Sequence, residues 1–174
     1  MIGTNTARRI RRATAADARS IAEVHVASWR HAYRGLLPDG SLDRLSVERR
    51  EAWWREAFRD RRSGVFVAED EGRVIGFASF GPSRDRDAGP EVGEIPAIYV
   101  DPSVVGAGVG RALLGAAIEA LREAGYRRAT LWVLEANAQA RRFYERAGWR
   151  WDGTTSRHDF DCANEPVLRY AVEL

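Results

Sequence analysis

Apolar residues recur at helical spacing in two segments near the start of the chain. The first segment covers about residues 15–33, and Thr14 with Asp17 three positions later predicts its start through a capping box. The second is predicted to run from Ser41 to about residue 60. Its apolar stripe consists of Leu42, Leu45, Trp53 and Ala57. We therefore expect two consecutive helices that each bury one face.

Shorter apolar runs predict strands in the remainder of the chain. These runs cover residues 8–13, 65–68, 74–80, 94–100, 129–134, 149–153 and 167–174. Glu71-Gly72 separates two of them and predicts a β-hairpin. The stretch 81–93, rich in Gly, Pro, Arg and Asp, predicts a surface loop. Alternate apolar residues of the last run share one face: Leu168, Tyr170, Val172 and Leu174.

Glycine and asparagine positions predict two further helices. Three glycines at alternate positions open the first: Gly106, Gly108 and Gly110. Gly125 is a suitable residue to end that helix. Asn137 can cap the second, which stops at Gly148. The resulting order, β, α, α, β, β, β, α, β, α, β, β, predicts an α/β (α+β) fold around a mixed sheet.

Length and composition indicate one ordinary globular domain over residues 1–174. Hydrophobic residues make up 45% of the chain and charged residues 30%, which argues against disorder. The formal net charge is only +2, and the arginines are dispersed rather than clustered. A nucleic-acid partner is therefore not expected.

Sequence features also predict the compartment and the absence of a metal. No apolar run approaches the roughly 18 residues of a membrane span. The first 12 residues lack the apolar core of a secretory signal, so we expect a cytoplasmic protein without a membrane partner. Cys162 is the single cysteine and predicts no intrachain disulfide. No Cys/His spacing suggests a zinc site.

The stretch 94–148, a strand followed by a glycine-rich turn and a helix, carries the most information about function. Free N–H groups and the dipole at a helix start favour an anion such as a pyrophosphate, and Arg111 adds a charged donor. A P-loop requires Gly-Lys-Ser/Thr, whereas Gly110 is followed by Arg111 and Ala112. A dinucleotide fingerprint requires glycine at position 111. Both templates fail, which leaves a pyrophosphate-bearing ligand of another kind.

Two signatures in this stretch resemble those of the GNAT acetyltransferases. Residues 98–102 (Ile-Tyr-Val-Asp-Pro) and 105–111 (Val-Gly-Ala-Gly-Val-Gly-Arg) are similar to the cofactor loop of these enzymes. Residues 137–149 look like their Asn-x-x-Ala-x-x-Phe-Tyr-x-x-x-Gly-Phe/Trp segment. Residues 26–38 look like a subgroup whose two N-terminal helices wall the acceptor site. The resemblance covers the chain in outline and is specific over 94–153.

The resemblance implies both a fold and an activity. The fold would have a central, mostly antiparallel sheet of about seven strands, splayed in the middle and flanked by about four helices. The activity would be transfer of an acetyl group from acetyl-CoA to a primary amine, by direct attack in a ternary complex and without a metal. The implied donor-binding residues are Ile98, Tyr99, Val100, Gly106, Ala107, Gly108, Val109, Gly110, Arg111, Asn137 and Tyr144.

Two positions qualify this resemblance. The family usually has Arg or Gln where this chain has Val105, so we expect weaker or differently balanced cofactor binding. Pro96 lies inside a predicted strand and cannot donate a ladder hydrogen bond, so it indicates either an edge strand or a bulge. In GNAT folds a bulge here splays the sheet, and pantetheine pairs with the backbone of residues 98–100.

Tyr144 is the predicted general acid. By the resemblance, a tyrosine here lies near the cofactor sulfur and can protonate the departing thiolate. Its ordinary pKa of about 10 keeps a phenol protonated at neutral pH, so it can donate. The competing interpretation is a tyrosine hydrogen-bonded at a helix–sheet seam.

Glu94 is the predicted base, because an amine must lose a proton before it attacks a thioester. Glu91 and Asp101 are nearby alternatives, and a solvated carboxylate at a strand edge is the competing interpretation. A catalytically silent CoA-binding or interaction module remains the alternative function. The presence of both Tyr144 and Glu94 argues against it.

Trp29 and Tyr33 are four residues apart on a predicted helix and hence neighbours on one face. They are predicted either to line the acceptor pocket or to belong to a core stripe. The sequence does not name the acceptor: a small molecule, a protein N-terminus and a lysine all remain open. A homodimer is expected only because dimers are common among GNAT enzymes.

Overall fold

The computed structural model describes residues 8–160 and 163–174. The strands of this part of the chain form one seven-stranded sheet in the order β1-β2-β3-β4-β5-β7-β6. They are β1 (Arg9–Arg12), β2 (Gly64–Asp70), β3 (Arg73–Pro82), β4 (Val92–Val100), β5 (Arg128–Leu134), β6 (Arg150–Asp159) and β7 (Asn164–Glu173). Neighbours run antiparallel except β4 and β5, which are parallel. The predicted mixed, mostly antiparallel fold is confirmed.

Helices cover both faces of this sheet. They are α1 (Ala18–Ala32), α2 (Asp39–Asp43), α3 (Val47–Ala57), α4 (Val109–Glu123) and α5 (Ala138–Arg146). Side chains of α4 and α5 pack in one core, and side chains of α1 and α3 pack in another. We call the two sides of the sheet the α4–α5 face and the α1–α3 face. Within the described residues, no helix is long and apolar enough to cross a membrane.

The predicted helix from Ser41 to about residue 60 is wrong as a continuous element. The chain ends α2 at Asp43 and starts α3 after Ser46, whose hydroxyl accepts a hydrogen bond from the Arg49 amide at 3.2 Å. This restart changes the helical phase, so Trp54 is 2% exposed while Trp53, placed in the predicted stripe, is 53% exposed. A capping serine inside the apolar pattern is the signal that marks the break.

The hairpin of β2 and β3 is confirmed at its predicted turn. Glu71 and Gly72 have φ angles of 49° and 78°, and consecutive left-handed residues fit the right-handed twist of a two-residue hairpin loop. The strand Val74–Phe80 expected after the turn is extended by one residue before it and two after it. β3 therefore supplies a long, buried neighbour for β4.

The sheet opens between β4 and β5. Their ladder pairs Val92 with Arg128, and ends where Glu94 pairs with Thr130. On the other side of β4, the register with β3 shifts between Ser79 and Gly81, where β4 has one more residue than β3. This extra residue lies next to Pro96, so the bulge interpretation is correct and the edge-strand interpretation is wrong. The predicted splay therefore has a local cause in the sequence.

The last two strands are longer than predicted. β6 continues to Asp159 and β7 begins at Asn164, so the C-terminal hairpin reaches well beyond the ladder of the other strands. The face predicted from alternation is confirmed, because Leu168, Tyr170, Val172 and Leu174 all join the core on the α4–α5 face. Cys162 lies outside the described residues.

Candidate active site

The glycine turn before α4 has the backbone geometry of an anion cradle. Gly106 and Gly108 have φ angles of 84° and 81°, and Gly108 occupies the N-cap position of α4. An L side chain rarely adopts these angles, and no other atom lies within 4 Å of an ideal Cβ at either position. The first-turn amides of α4 are thus open to a ligand, with Arg111 exposed beside them. The turn fits a diphosphate.

The predicted pantetheine strand is open on one side. Ile98, Tyr99 and Val100 pair with Ala78, Phe77 and Gly76 of β3, while the ladder to β5 ended at Glu94. Within the described residues, the β5 edge of this segment therefore has no strand partner. Its backbone groups can pair with an amide-bearing ligand as an added strand would. Val105, which precedes the glycine turn, is 50% exposed. It replaces the polar side chain that the family usually has at this position.

Helix α5 borders the open edge from the α4–α5 face. Asn137 caps it, with Oδ1 accepting the Ala140 amide at 3.1 Å, which confirms the cap and leaves cofactor contact a prediction. Phe143 faces Gly110 of α4, 3.6 Å from where a Cβ would lie. Tyr144 is half-buried, with its ring 5.2 Å from that of Phe143. Helix α5 thus carries the predicted acid beside the turn that fits a diphosphate.

Two tyrosines are in contact on the α1–α3 face of the opening, and Tyr144 lies on the α4–α5 face. The hydroxyl groups of Tyr33, after α1, and Tyr99, on β4, are 3.1 Å apart. Burial raises the pKa of Tyr144, and the charge of Tyr99 raises it further. The pKa of Tyr33 is also raised, by burial, by Tyr99 and by Tyr144.

Aromatic rings wall the α1–α3 face of the opening. Trp29 lies 5.2 Å from Tyr33 and 5.7 Å from Phe160, which follows β6. Tyr33 is buried and Trp29 half-buried, so the two residues belong to a core stripe as well as to this wall. Below them, His25 stacks on Tyr99 at 5.1 Å. Both alternatives considered for Trp29 and Tyr33 thus have structural support.

His25 is a buried, neutral residue. Its Nδ1 accepts a hydrogen bond from the Trp54 indole at 3.2 Å, which leaves the proton on Nε2. Burial lowers the pKa of His25 to about 3, with a contribution from the charge of Arg50. The imidazole therefore supports the Tyr99 ring as an uncharged aromatic side chain.

The predicted base, Glu94, is engaged in an ion pair. Its side chain is 2% exposed, and both oxygens accept hydrogen bonds from Arg84: Nη2 at 2.7 Å, Nε at 3.1 Å and the backbone amide at 3.0 Å. The alternatives Glu91 and Asp101 are placed differently, since Glu91 is exposed at the start of β4 and Asp101 caps the following turn. Glu94 alone lies at the point where the sheet opens.

Long-range contacts that sequence reasoning missed hold the loop of residues 83–91 in place. Arg169 of β7, with a side chain only 12% exposed, contacts Asp85 at 3.2 Å, Asp87 at 2.7 Å and Asp152 at 2.7 Å. The Trp132 indole donates to Asp85 at 3.0 Å. This network fixes the loop in the position that brings Arg84 into contact with Glu94. The alternating Arg and Asp residues of the loop indicate that it forms ion pairs, but the sequence does not show which distant residues they contact.

The described residues contain no group of three or more His, Cys, Asp or Glu side chains arranged to hold a metal ion. The features present are an anion cradle, an open strand edge and a buried phenol. These three features match the parts of an elongated thioester ligand in order. Its diphosphate would bind in the cradle, the amides in its middle would pair with the strand edge, and its thioester would lie near the phenol. Fold and site together define an acyl-CoA-dependent transferase.

Comparison with known proteins identifies the family. The chain matches the model of the acetyltransferase (GNAT) family over residues 21–149, and it belongs to that family. It is 41% identical over 129 residues to an uncharacterized N-acetyltransferase, YuaI, of Bacillus subtilis, covering 74% of this chain and 72% of that protein. It is 32% identical over 151 residues to a probable N-acetyltransferase of Mycobacterium tuberculosis, covering 84% and 82%.

A solved structure shares the fold and contains the acyl donor. A putative acetyltransferase of Salmonella typhimurium, determined with acetyl-CoA, superposes with a TM-score of 0.73 at 26% identity, covering 97% of this chain and 94% of that one. The protein is therefore an acetyl-CoA-dependent N-acetyltransferase that acts on an amine.

Proposed function

We propose that this N-acetyltransferase works by direct attack in a ternary complex, with Tyr144 as the general acid. The observation that carries the proposal is that Phe143 of α5 and Val100 of β4 both lie within 4 Å of the Cβ position of Gly110, so that α5 carries Tyr144 next to the edge of β4 that, in the described part of the chain, has no β5 partner beyond Glu94. A thioester lying along the open edge of β4 would have the phenol on one side and the aromatic wall on the other.

Each residue has a defined task in this proposal. The amides around Gly106, Ala107, Gly108, Val109 and Gly110, with Arg111, bind the diphosphate. The backbone of 98–100 holds the pantetheine, and Asn137 contacts it at the start of α5. The amine nitrogen forms a bond to the acetyl carbon, the C–S bond breaks, and Tyr144 gives its proton to the sulfur. Bringing both reactants together supplies much of the rate enhancement.

The raised pKa of Tyr144 keeps its phenol protonated through the physiological range, so that it can donate a hydrogen bond to the leaving sulfur. The same rise makes complete transfer of the proton to a thiolate, whose ordinary pKa is near 8.5, less favourable than transfer from an ordinary phenol. The proton that leaves the amine needs an acceptor. Glu94 is placed for that task but would first have to give up hydrogen bonds from Arg84.

The aromatic wall also bears on the acceptor. Trp29, Tyr33 and Phe160 present ring surfaces, and an ammonium group is attracted to the face of such rings. This favours an amine attached to an apolar or aromatic group. The single domain, cytoplasmic compartment and homodimer expected from sequence remain predictions, and gel filtration with light scattering checks the last of these.

Replacing Tyr144 by Phe tests the acid. We expect thiol release from acetyl-CoA, measured over a panel of primary amines, to fall about 10²-fold in kcat while the KM for acetyl-CoA changes little. Tyr126→Phe is the matched control, because Tyr126 lies at the opposite end of α4. Equal kcat values for Tyr144→Phe and the unmodified protein would refute the acid assignment.

A further inference from the structure

The α1–α3 face contains a second titratable group that is better disposed than Glu94 to accept a proton. The Glu94 carboxylate already accepts three hydrogen bonds from Arg84 and is almost fully buried. Both oxygens of the carboxylate are occupied by Arg84, so an ammonium group of the acceptor would have to displace the guanidinium to reach them. The pair therefore serves better to fix Arg84 than to remove a proton from an amine.

His158 lies on the same face, close to the opening. Its ring centroid is 5.2 Å from that of Trp132, and the side chain is half-buried. Trp132 is two residues beyond Thr130, the last β5 residue that pairs with β4, so it shares the face of Thr130 and Glu94. The imidazole on β6 thus lies over the part of β5 where the sheet has opened.

The register of β7 with β6 and β5 also places His158 on the α1–α3 face. His158 pairs with Glu165 on β7, and Arg169, four residues later on the same face of β7, pairs with Trp132 on β5. Alternation along β7 puts these four side chains on one face of the sheet. The two ladders therefore place His158 on the same face of the sheet as Glu94, opposite the α4–α5 face.

Burial favours the neutral form of His158 at physiological pH. Burial lowers its pKa, and the charge of Arg84 lowers it further, while Glu94 and Asp85 act in the opposite direction. Glu165 faces it from β7. A histidine whose pKa lies below its ordinary value of about 6.5 is unprotonated near pH 7 and has a nitrogen available to accept a proton.

We propose that His158 is the proton acceptor for the incoming amine, with the Arg84–Glu94 pair as a fixed support beside it. One imidazole nitrogen takes a proton from the ammonium group. The freed nitrogen lone pair forms the bond to the acetyl carbon as the C–S bond breaks, and Tyr144 protonates the sulfur. The acylated nitrogen then releases its second proton to solvent to become the amide, and the Tyr144 phenolate takes a proton from solvent. The inference rests on the proposed direct-attack mechanism and replaces only its base.

The test follows thiol release from acetyl-CoA as a function of pH, with ethylamine as the acceptor probe. We expect His158→Gln to lose about 10²-fold of the rate near neutral pH, together with the inflection that histidine ionisation produces in the profile. Millimolar imidazole should restore activity to His158→Ala, which a structural defect would not allow. His31→Gln is the control, because His31 is an exposed histidine on α1.

Each outcome has one meaning. Superimposable pH profiles for His158→Gln and the unmodified protein would overturn the inference, and so would a loss of activity in His158→Ala that imidazole does not relieve. Calorimetric binding of acetyl-CoA without thiol release above the uncatalysed rate also counts against it. Absence of acetyl-CoA binding would instead overturn the proposed function, and the inference with it.

Discussion

The two faces of the sheet are organised in different ways. On the α4–α5 face, the groups that would hold the donor lie within residues 98–144 and are positioned by local features: two left-handed glycines, one helix start and one cap. On the α1–α3 face, the important contacts join residues far apart in the chain, such as Arg169 to Asp85 and Tyr33 to Tyr99.

We therefore expect donor binding, which the family shares, to depend on the α4–α5 face, and specificity for one acceptor to depend on the α1–α3 face. Local backbone geometry suffices to bind a diphosphate and an amide chain, so the donor side can be written as a short motif. Under the proposed function, we expect recognition of an acceptor to depend on side chains that converge from α1, β4, the 83–91 loop and β6. Variants that disturb one face should therefore leave the other largely intact.

The largest expected effect is on the α1–α3 face. Arg169→Met removes the cation that contacts Asp85 and leaves Asp152 with only the longer ion pair to Arg128 at 3.6 Å, and removal of one partner from a buried ion pair costs about 3 kcal/mol. The free energy of unfolding, measured by urea denaturation, should fall by that order. Arg122→Met, in an exposed pair with Glu119, is the control and should change it by less than about 0.5 kcal/mol.

The next effect concerns the α4–α5 face. Gly108→Val forces a β-branched residue to a φ of 81°, which costs about 2 kcal/mol and distorts the turn. We expect acetyl-CoA affinity, measured by calorimetry, to fall at least about tenfold. Gly115→Ala lies within α4 with open space around it and should bind acetyl-CoA normally. Normal affinity in Gly108→Val would argue against the anion cradle.

A smaller effect is expected where the two faces meet. Tyr33→Phe removes one hydroxyl of the Tyr33–Tyr99 pair and leaves the other buried hydroxyl with one partner fewer, at a cost of about 1 kcal/mol. Acetyl-CoA affinity should stay within about twofold, since the change lies on the α1–α3 face. Thermal unfolding and calorimetry on the same sample measure both quantities. A large loss of acetyl-CoA affinity would show that the faces are coupled.

The smallest effect is a pH dependence. The pKa of Asp87 is lowered by its hydrogen bond from Arg169; that of Asp152 is lowered too, because hydrogen bonds from Thr154 and Arg169 outweigh burial. Groups with a depressed folded pKa contribute stability above the ordinary Asp pKa of about 4 and lose it as pH falls. Unfolding free energy measured from neutral to acid pH should therefore decline less in Arg169→Met than in the unmodified protein.

Sequence reasoning succeeded where a residue's role depends on its neighbours in the chain. The Asn137 cap, the Glu71-Gly72 turn and the bulge beside Pro96 each follow from backbone requirements of one or two residues. It failed at Trp53, where a capping serine upstream restarted the helix and brought Trp54 into the core instead. Helical periodicity cannot reveal such a break unless the cap is weighed against it.

The candidate site also divides into residues that the sequence identifies and contacts that only the structure shows. Tyr144 could be singled out because it belongs to a contiguous signature, and Glu94 because it begins a recognisable strand. The sequence offered no means of pairing Glu94 with Arg84, or of bringing His158 to the same face. Those placements depend on strand register and on a loop held by Arg169 from the other end of the chain.

The sequence by itself determined the order of the strands, the glycine turn before α4 and the family, because these depend on short stretches of chain whose geometry is locally encoded. Only the tertiary structure decided which charges pair across the α1–α3 face and which aromatic rings line the opening. The physical reason is that ion pairs and ring contacts are set by distance in space, and the register of a folded sheet brings together residues that no sequence spacing relates.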